Sequence, residues 1–142
     1  ADEVFTLGEE LPARVRAATG GRGVDLVLDL IGGAHFTRLL AALAPRGKLV
    51  LVGLVAGARA ELELDLVLRR RLTLIGSVLR SRDRTEKAAL VADFLAFAAP
   101  RLAARRMVPV VERVLELESI AAAYALLERG RPFGKVVVRL PG

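Results

Sequence analysis

Along most of the chain, apolar runs of strand length alternate with stretches whose apolar residues recur at helical spacing. Val24–Asp29 (VDLVLD) is a short apolar run closed by an acid and followed by Ile31, Gly32 and Gly33. Phe36, Leu39, Leu40 and Leu43 then recur at intervals of three and four, one face of a helix that Pro45 and Gly47 end. Lys48–Gly53 (KLVLVG) predicts a second strand, Asp65–Arg71 one or two helical turns, and Leu72–Leu79 (LTLIGSVL) a third strand with an internal glycine. Asp83 and Glu86 fit a capping box. The helix it opens carries Leu90, Val91, Phe94, Leu95 and Phe97 as far as Pro100, where a kink or a restart is expected before a second piece at Arg101–Arg106. Val108–Leu117 reads as extended, Glu118 or Ser119 caps a short helix through Leu127, Gly130 stands where a helix-ending glycine belongs, and Lys135–Leu140 (KVVVRL) predicts a last strand. At the front, Glu3–Phe5 reads as a fragment of strand and Glu9–Ala18 as a helix.

Strands apolar on both faces, alternating with helices, predict an α/β fold built on a parallel sheet. The extended–helix–strand pattern after Met107–Pro109 departs from that alternation and marks a boundary there. The phosphate-binding opening of a doubly wound domain is not visible. No G-x-G-x-x-G lies between a strand and a helix, and Gly20, Gly21 and Gly23 precede a strand instead. Gly130–Lys135 is one residue short of a Walker loop, is followed by no Ser or Thr, and leads into a strand, so it is rejected as one. The expected architecture is therefore the second half of a Rossmann-type doubly wound parallel sheet, followed by a short C-terminal α+β segment.

Composition narrows the chemistry. The 142 residues include no Cys and a single histidine, His35, which leaves no disulfide and no Cys/His metal site. Of the 22 basic residues 19 are arginine, and the formal net charge is +6. These arginines are spread over the whole chain and aromatics make up only 4%, so no stacking platform for nucleic acid is expected. No apolar run reaches the ~18–20 residues of a membrane span, no signal peptide opens the chain, and a cytoplasmic location is expected. Ser77, Ser81 and Ser119 are the only serines and none sits in a nucleophile elbow. His35 is read as a surface residue at a helix start, and no catalytic side chain is assigned.

What remains is topology, because open parallel sheets bind ligands beyond the carboxyl ends of their strands. Those ends are Asp29–Gly33, Val52–Val55 and Ser77–Arg80. Their glycines allow a flat ligand to approach the backbone, or are simply strand-to-helix turn residues; the residues alone favour neither reading.

The ordered segments GGRGVDLVLDLIGG, LAPRGKLVLVGL, ELDLVLRRRLTLIGSVLRSR, EKAALV and FGKVVVRL resemble the zinc-less medium-chain dehydrogenases/reductases, in particular their quinone oxidoreductase (zeta-crystallin-like) branch. The run Arg69–Arg82 and the terminal FGK-plus-strand are the more specific parts. The resemblance implies that residues 1–108 are the C-terminal part of a nucleotide-binding domain. Residues 109–142 would be the C-terminal segment of the catalytic domain. It implies hydride transfer from NADPH to a quinone or similar α,β-unsaturated carbonyl, with no metal. By position, Val52, Gly53 and Leu54 would line the nicotinamide end of the cofactor. Ser77, Val78 and Leu79 would lie along it, Ile31 and Gly32 near its ribose, and Lys135 would close the site. Leu54 stands where members often carry a polar residue. A homo-oligomer, a dimer through the edge strand 72–79, is also implied.

Two further readings stand beside this one. VDLVLD and PRGKLVLVG also resemble strands of a methyltransferase-like Rossmann domain, which would end on an antiparallel hairpin. The chain is otherwise a non-catalytic dimerisation fragment. In the order 3-2-1-4-5-6, the strands flanking Val24–Asp29 on one side are missing, so an unpaired edge is expected there.

Overall fold

A computed structural model describes residues 1–130 and 132–141 of the chain. Arg131, inside the rejected Walker-like match, and Gly142, the last residue of the expected second segment, lie outside the described residues. The chain divides into two compact units, Ala1–Arg82 and Asp83–Gly142.

The first unit is a three-stranded parallel sheet with helices in the crossovers. Its elements are α1 (Leu11–Ala18), β1 (Val24–Asp29), α2 (Phe36–Ala42), β2 (Leu43–Leu51), α3 (Leu64–Arg70) and β3 (Thr73–Gly76). The strand order is β1-β2-β3, so β1 has a partner on one side only, as expected. Leu26 pairs with Lys48 and Thr73 in one row across the sheet, Val27 with Leu49 and Leu74 in the next. Alternation then places Val27 and Leu49 on the face that packs against Leu40 and Leu43, the fully buried centre of the unit. A second cluster of Leu11, Val15 and Ala42 ties α1 to the other side of α2.

Four local expectations change. Leu43 fits the helical stripe, but α2 ends at Ala42 and Leu43 is already extended (ψ 145°), opening β2. Pro45 disfavours helical backbone at Ala44, and Ala44–Gly47 form a bulge between the pairs Val24–Leu43 and Leu26–Lys48. Glu3–Phe5 forms no strand, because no described strand lies beside it. Phe5 packs instead on Leu11, Val15 and Ala42, with the Arg14 guanidinium 5.0 Å from its ring centre. The third strand is shorter than Leu72–Leu79 and stops at Gly76. The second strand stops at Leu51, two residues before Gly53.

The C-terminal end of α2 is held from both sides. Arg16 donates to the Ala41 carbonyl at 3.3 Å, and Arg70 donates to the carbonyls of Ala41 at 3.1 Å and Leu43 at 2.8 Å. Carbonyls at a helix end lack intrahelical donors, and a cation there also meets the negative end of the helix dipole.

The second unit contains α4 (Arg84–Ala103), β4 (Val111–Glu116), α5 (Ile120–Glu128) and β5 (Lys135–Arg139). Asp83 caps α4 by accepting from the Glu86 N–H at 2.8 Å, as the capping-box pattern predicts. The helix does not restart at Pro100, which lies in its last turn. A proline there removes one hydrogen bond, and the chain continues regardless, with Ala104 N–H bonded to the Pro100 carbonyl. Ser119 occupies the N-cap position of α5, yet its side chain makes no capping bond; a 3₁₀ turn over Leu117–Ser119 leads in instead. Strands β4 and β5 pair in parallel through the α5 crossover, with Val114 opposite Val137. This parallel pair is the opposite of the hairpin on which a methyltransferase-like domain would end.

Among the described residues no helix is long and apolar enough to cross a membrane.

Candidate cofactor site at the carboxyl ends of the strands

Asp29, Leu51 and Gly76 form the last row of the sheet. The row extends through backbone bonds. Val52 and Gly53 N–H groups donate to the Asp29 carbonyl at 2.8 and 3.3 Å, and the Ser77 N–H donates to that of Leu51 at 2.9 Å. The three chains therefore leave the sheet side by side, which brings their turns together at one edge.

Between the second and third of these turns lies a cavity of about 460 Å³. Val52, Gly53, Leu54, Ser77 and Val78 line it together with Leu51 and Gly76. Ser77 is the one polar side chain in that lining, so the cavity suits a flat, largely apolar ring that meets backbone groups at its polar rim. A smaller hollow of about 120 Å³ adjoins it, with Leu51 and Leu54 bordering both, and contains Gly32, Gly33, Phe36 and Arg59. Five of the residues singled out from the sequence thus converge on one cavity and Gly32 on its neighbour.

The other three are not among the residues that line these two hollows. Ile31 lines neither hollow; its N–H donates to Asp29 and its carbonyl accepts from the Ala56 N–H at 2.8 Å. Leu79 follows the cavity wall and is 57% exposed. Lys135 belongs to the second unit, where it opens β5 and donates its N–H to the Val110 carbonyl at 2.8 Å. Sequence reasoning missed Leu51 and Gly76. Both were treated as strand interior, although the parity that buries Val27 and Leu49 also sends Leu51 and Gly76 to one face at the sheet end.

The glycines at these turns serve the chain's own packing. A Cβ on Gly53 would stand 2.5 Å from the Leu30 carbonyl oxygen, and one on Gly33 would collide with the Ala56 carbonyl. Gly33 also has φ +57°, a conformation other residues adopt at a cost. The loops 30–33 and 52–57 therefore meet backbone to backbone, and neither of the two sequence readings of these glycines anticipated that contact.

Asp29 organises the first turn. It is 1% exposed, and its Oδ1 accepts from the N–H groups of Ile31 at 2.8 Å and Gly32 at 3.0 Å. Its Oδ2 is buried and has no partner among the described residues, as is the case for Nδ1 of His35. Asp29→Ala leaves the Ile31 and Gly32 N–H groups without their acceptor and is expected to lower stability by about 2 kcal/mol in urea unfolding. Asp29→Asn retains the accepting oxygen and is expected to lose far less. Equal losses in the two variants would show that the accepting oxygen is not what matters.

With no Cys and one His, the chain is poor in zinc donors. Among the described residues no group of three or more His, Cys, Asp or Glu side chains is placed to hold a metal. The residues present do not fit a zinc centre.

Known proteins resemble this chain in sequence and in fold. A bovine quinone oxidoreductase-like protein 2 is 28% identical over 130 residues, which is 92% of this chain and 37% of that protein. The solved structure of an NAD-dependent alcohol dehydrogenase is 33% identical with a TM-score of 0.75, covering 99% of this chain and 38% of that one. A mycobacterial quinone oxidoreductase structure is 29% identical with a TM-score of 0.76, covering 97% of this chain and 43% of its own. The chain thus spans well under half the length of each. Residues 1–138 match the model of the family described as zinc-binding dehydrogenase, and the chain belongs to that family of medium-chain dehydrogenases/reductases.

Proposed function

We propose that the chain is the nicotinamide-side half of the cofactor site of a longer, cytoplasmic NADPH-dependent reductase. That enzyme transfers hydride to a quinone or similar α,β-unsaturated carbonyl. The observation that carries this reading is the cavity between the β2 and β3 ends, apolar in its side chains apart from Ser77.

In this reading residues 1–108 complete a nucleotide-binding domain and residues 109–142 return to the catalytic domain. The cofactor, when bound, supplies the hydride. The chain's residues bind and orient. Val52, Gly53 and Leu54 hold one side of the ring, while Ser77, Val78 and Leu79 run along the other. Ile31 and Gly32, fixed by Asp29, stand near the ribose. Because Leu54 has no polar side chain, hydrogen bonds to the ring's carboxamide would be left to backbone groups and Ser77. Strand β3 is an edge strand, and a dimer forms by pairing that edge with its copy.

The test uses the full-length protein that carries this chain. Oxidation of NADPH, followed by the absorbance of the reduced ring, is expected to depend on added quinone. It is expected to run faster than with NADH and to be unchanged by a zinc chelator. Failure to bind either nicotinamide cofactor would overturn the reading. A rate higher with NADH would overturn the NADPH preference, and loss of activity to the chelator would overturn the metal-free reaction.

A further inference from the structure

Most glycines at the sheet's carboxyl end are explained by backbone contacts, but Gly76 is not. Nothing lies within 4 Å of a Cβ built on it, and its φ is one that any residue adopts. It ends β3, is exposed, and its neighbour across the ladder is Leu51. A glycine in a strand has no side chain to pack and gives up more conformational freedom on folding than any other residue. Here the fold gains nothing in return, because the space that a side chain would enter is open. Gly76 forms part of the wall of the cavity lined by Val52, Gly53, Leu54, Ser77 and Val78, and it also borders a smaller hollow with Phe36, Leu49 and Leu74.

We infer that Gly76 is a specificity-determining position: its missing side chain leaves the thickness that the nicotinamide ring occupies against the end of β3. The inference rests on the cofactor-site reading above. Two features set the expected chemistry. First, Val52, Gly53 and Leu54 line the same cavity as Gly76, and Gly53 is locked against Leu30. Gly53 therefore has no room to retreat, and a methyl group added at 76 takes up space beside it. Second, Ser77 is held by its N–H bond to the Leu51 carbonyl. The strand end is therefore fixed beside the glycine and does not swing away from a bulkier residue.

The experiment compares the wild type with Gly76→Ala and Gly76→Val in the full-length protein. Dissociation constants are measured for NADPH and for 2′-phospho-ADP-ribose, which lacks the nicotinamide. The alanine variant is expected to bind NADPH at least tenfold more weakly and the valine variant more weakly still. Both are expected to bind 2′-phospho-ADP-ribose within twofold of the wild type. Melting midpoints of the 142-residue chain are expected to stay level or rise, since a side chain at 76 meets only open space.

Unchanged NADPH affinity in both variants would overturn the inference. So would an equal loss for both ligands, or a fall in the melting midpoint with alanine, because each would mean that Gly76 serves the fold and not the ring. A wild type that binds 2′-phospho-ADP-ribose but gains nothing from the nicotinamide would also overturn it. A wild type that binds neither ligand would instead bring down the cofactor-site reading itself.

Discussion

Gly53→Ala is expected to lower the unfolding free energy by about 3 kcal/mol, the upper end of what overpacking costs. The added Cβ would lie 2.5 Å from the Leu30 carbonyl oxygen and 3.1 Å from its carbon, so the obstacle is backbone. Neither loop has a cheap way to yield. Val52 and Gly53 are tied to the Asp29 carbonyl, and the Asp29 side chain holds Ile31 and Gly32 on the other side. Moving Gly53 away breaks the first pair of bonds, and moving Leu30 disturbs the second. Urea unfolding followed by far-ultraviolet circular dichroism measures the loss. A change below about 1 kcal/mol, the ordinary range for a mild substitution, would mean that the loops slide past each other freely.

Leu49→Ala is expected to cost slightly more, about 3–4 kcal/mol, within the range for truncating a buried leucine. Leu49 is 1% exposed, lies in the middle strand, and packs with Val27, Leu40 and Leu43. Its neighbours in the ladder, Val27 and Leu74, are held by the sheet and cannot collapse into the space left. The control is Leu54→Ala, half-exposed on a loop, expected to cost much less in the same titration. If the two losses were equal, Leu49 would not be the centre of this core.

Strand β1 was legible to the residue, because Val24–Asp29 is bounded by a glycine on one side and an acid that turns the chain on the other. The order of α/β elements was legible for the same reason, namely the change of hydrophobic period along the chain. Element ends were harder to read. Leu43 satisfies both a helical stripe and a strand core, and the choice is made by Pro45 and by pairing to Val24, the second of which is a long-range fact. At Pro100 the local rule led to an expected kink or restart, yet α4 runs on to Ala103 with only the Pro100 N–H bond forgone.

The cavity residues Val52, Gly53, Leu54, Ser77 and Val78 were reached through family resemblance and strand-end topology. The roles of the glycines were not legible. Gly33 and Gly53 look alike in the sequence, as does Gly76, and what separates them is which atoms stand where a Cβ would be. Those atoms belong to residues 23 positions away in each of the first two cases, and in the third there are none. Burial of Asp29 was hidden in the same way, since a strand-ending acid is usually solvated and here it is 1% exposed, with its side chain bonded to Ile31 and Gly32.

The loop 52–57 has a consequence for motion. Val52 and Gly53 bond to Asp29, and Ala56 bonds to Ile31, so two surface loops from different crossovers are stitched together by three backbone hydrogen bonds with glycines at the seam. Neither can fray alone: exposing the Ala56 amide to solvent requires parting both loops. In local unfolding they behave as one cooperative unit whose opening has a single free energy, and the two hollows that share Leu51 and Leu54 keep their spacing until that unit opens as a whole.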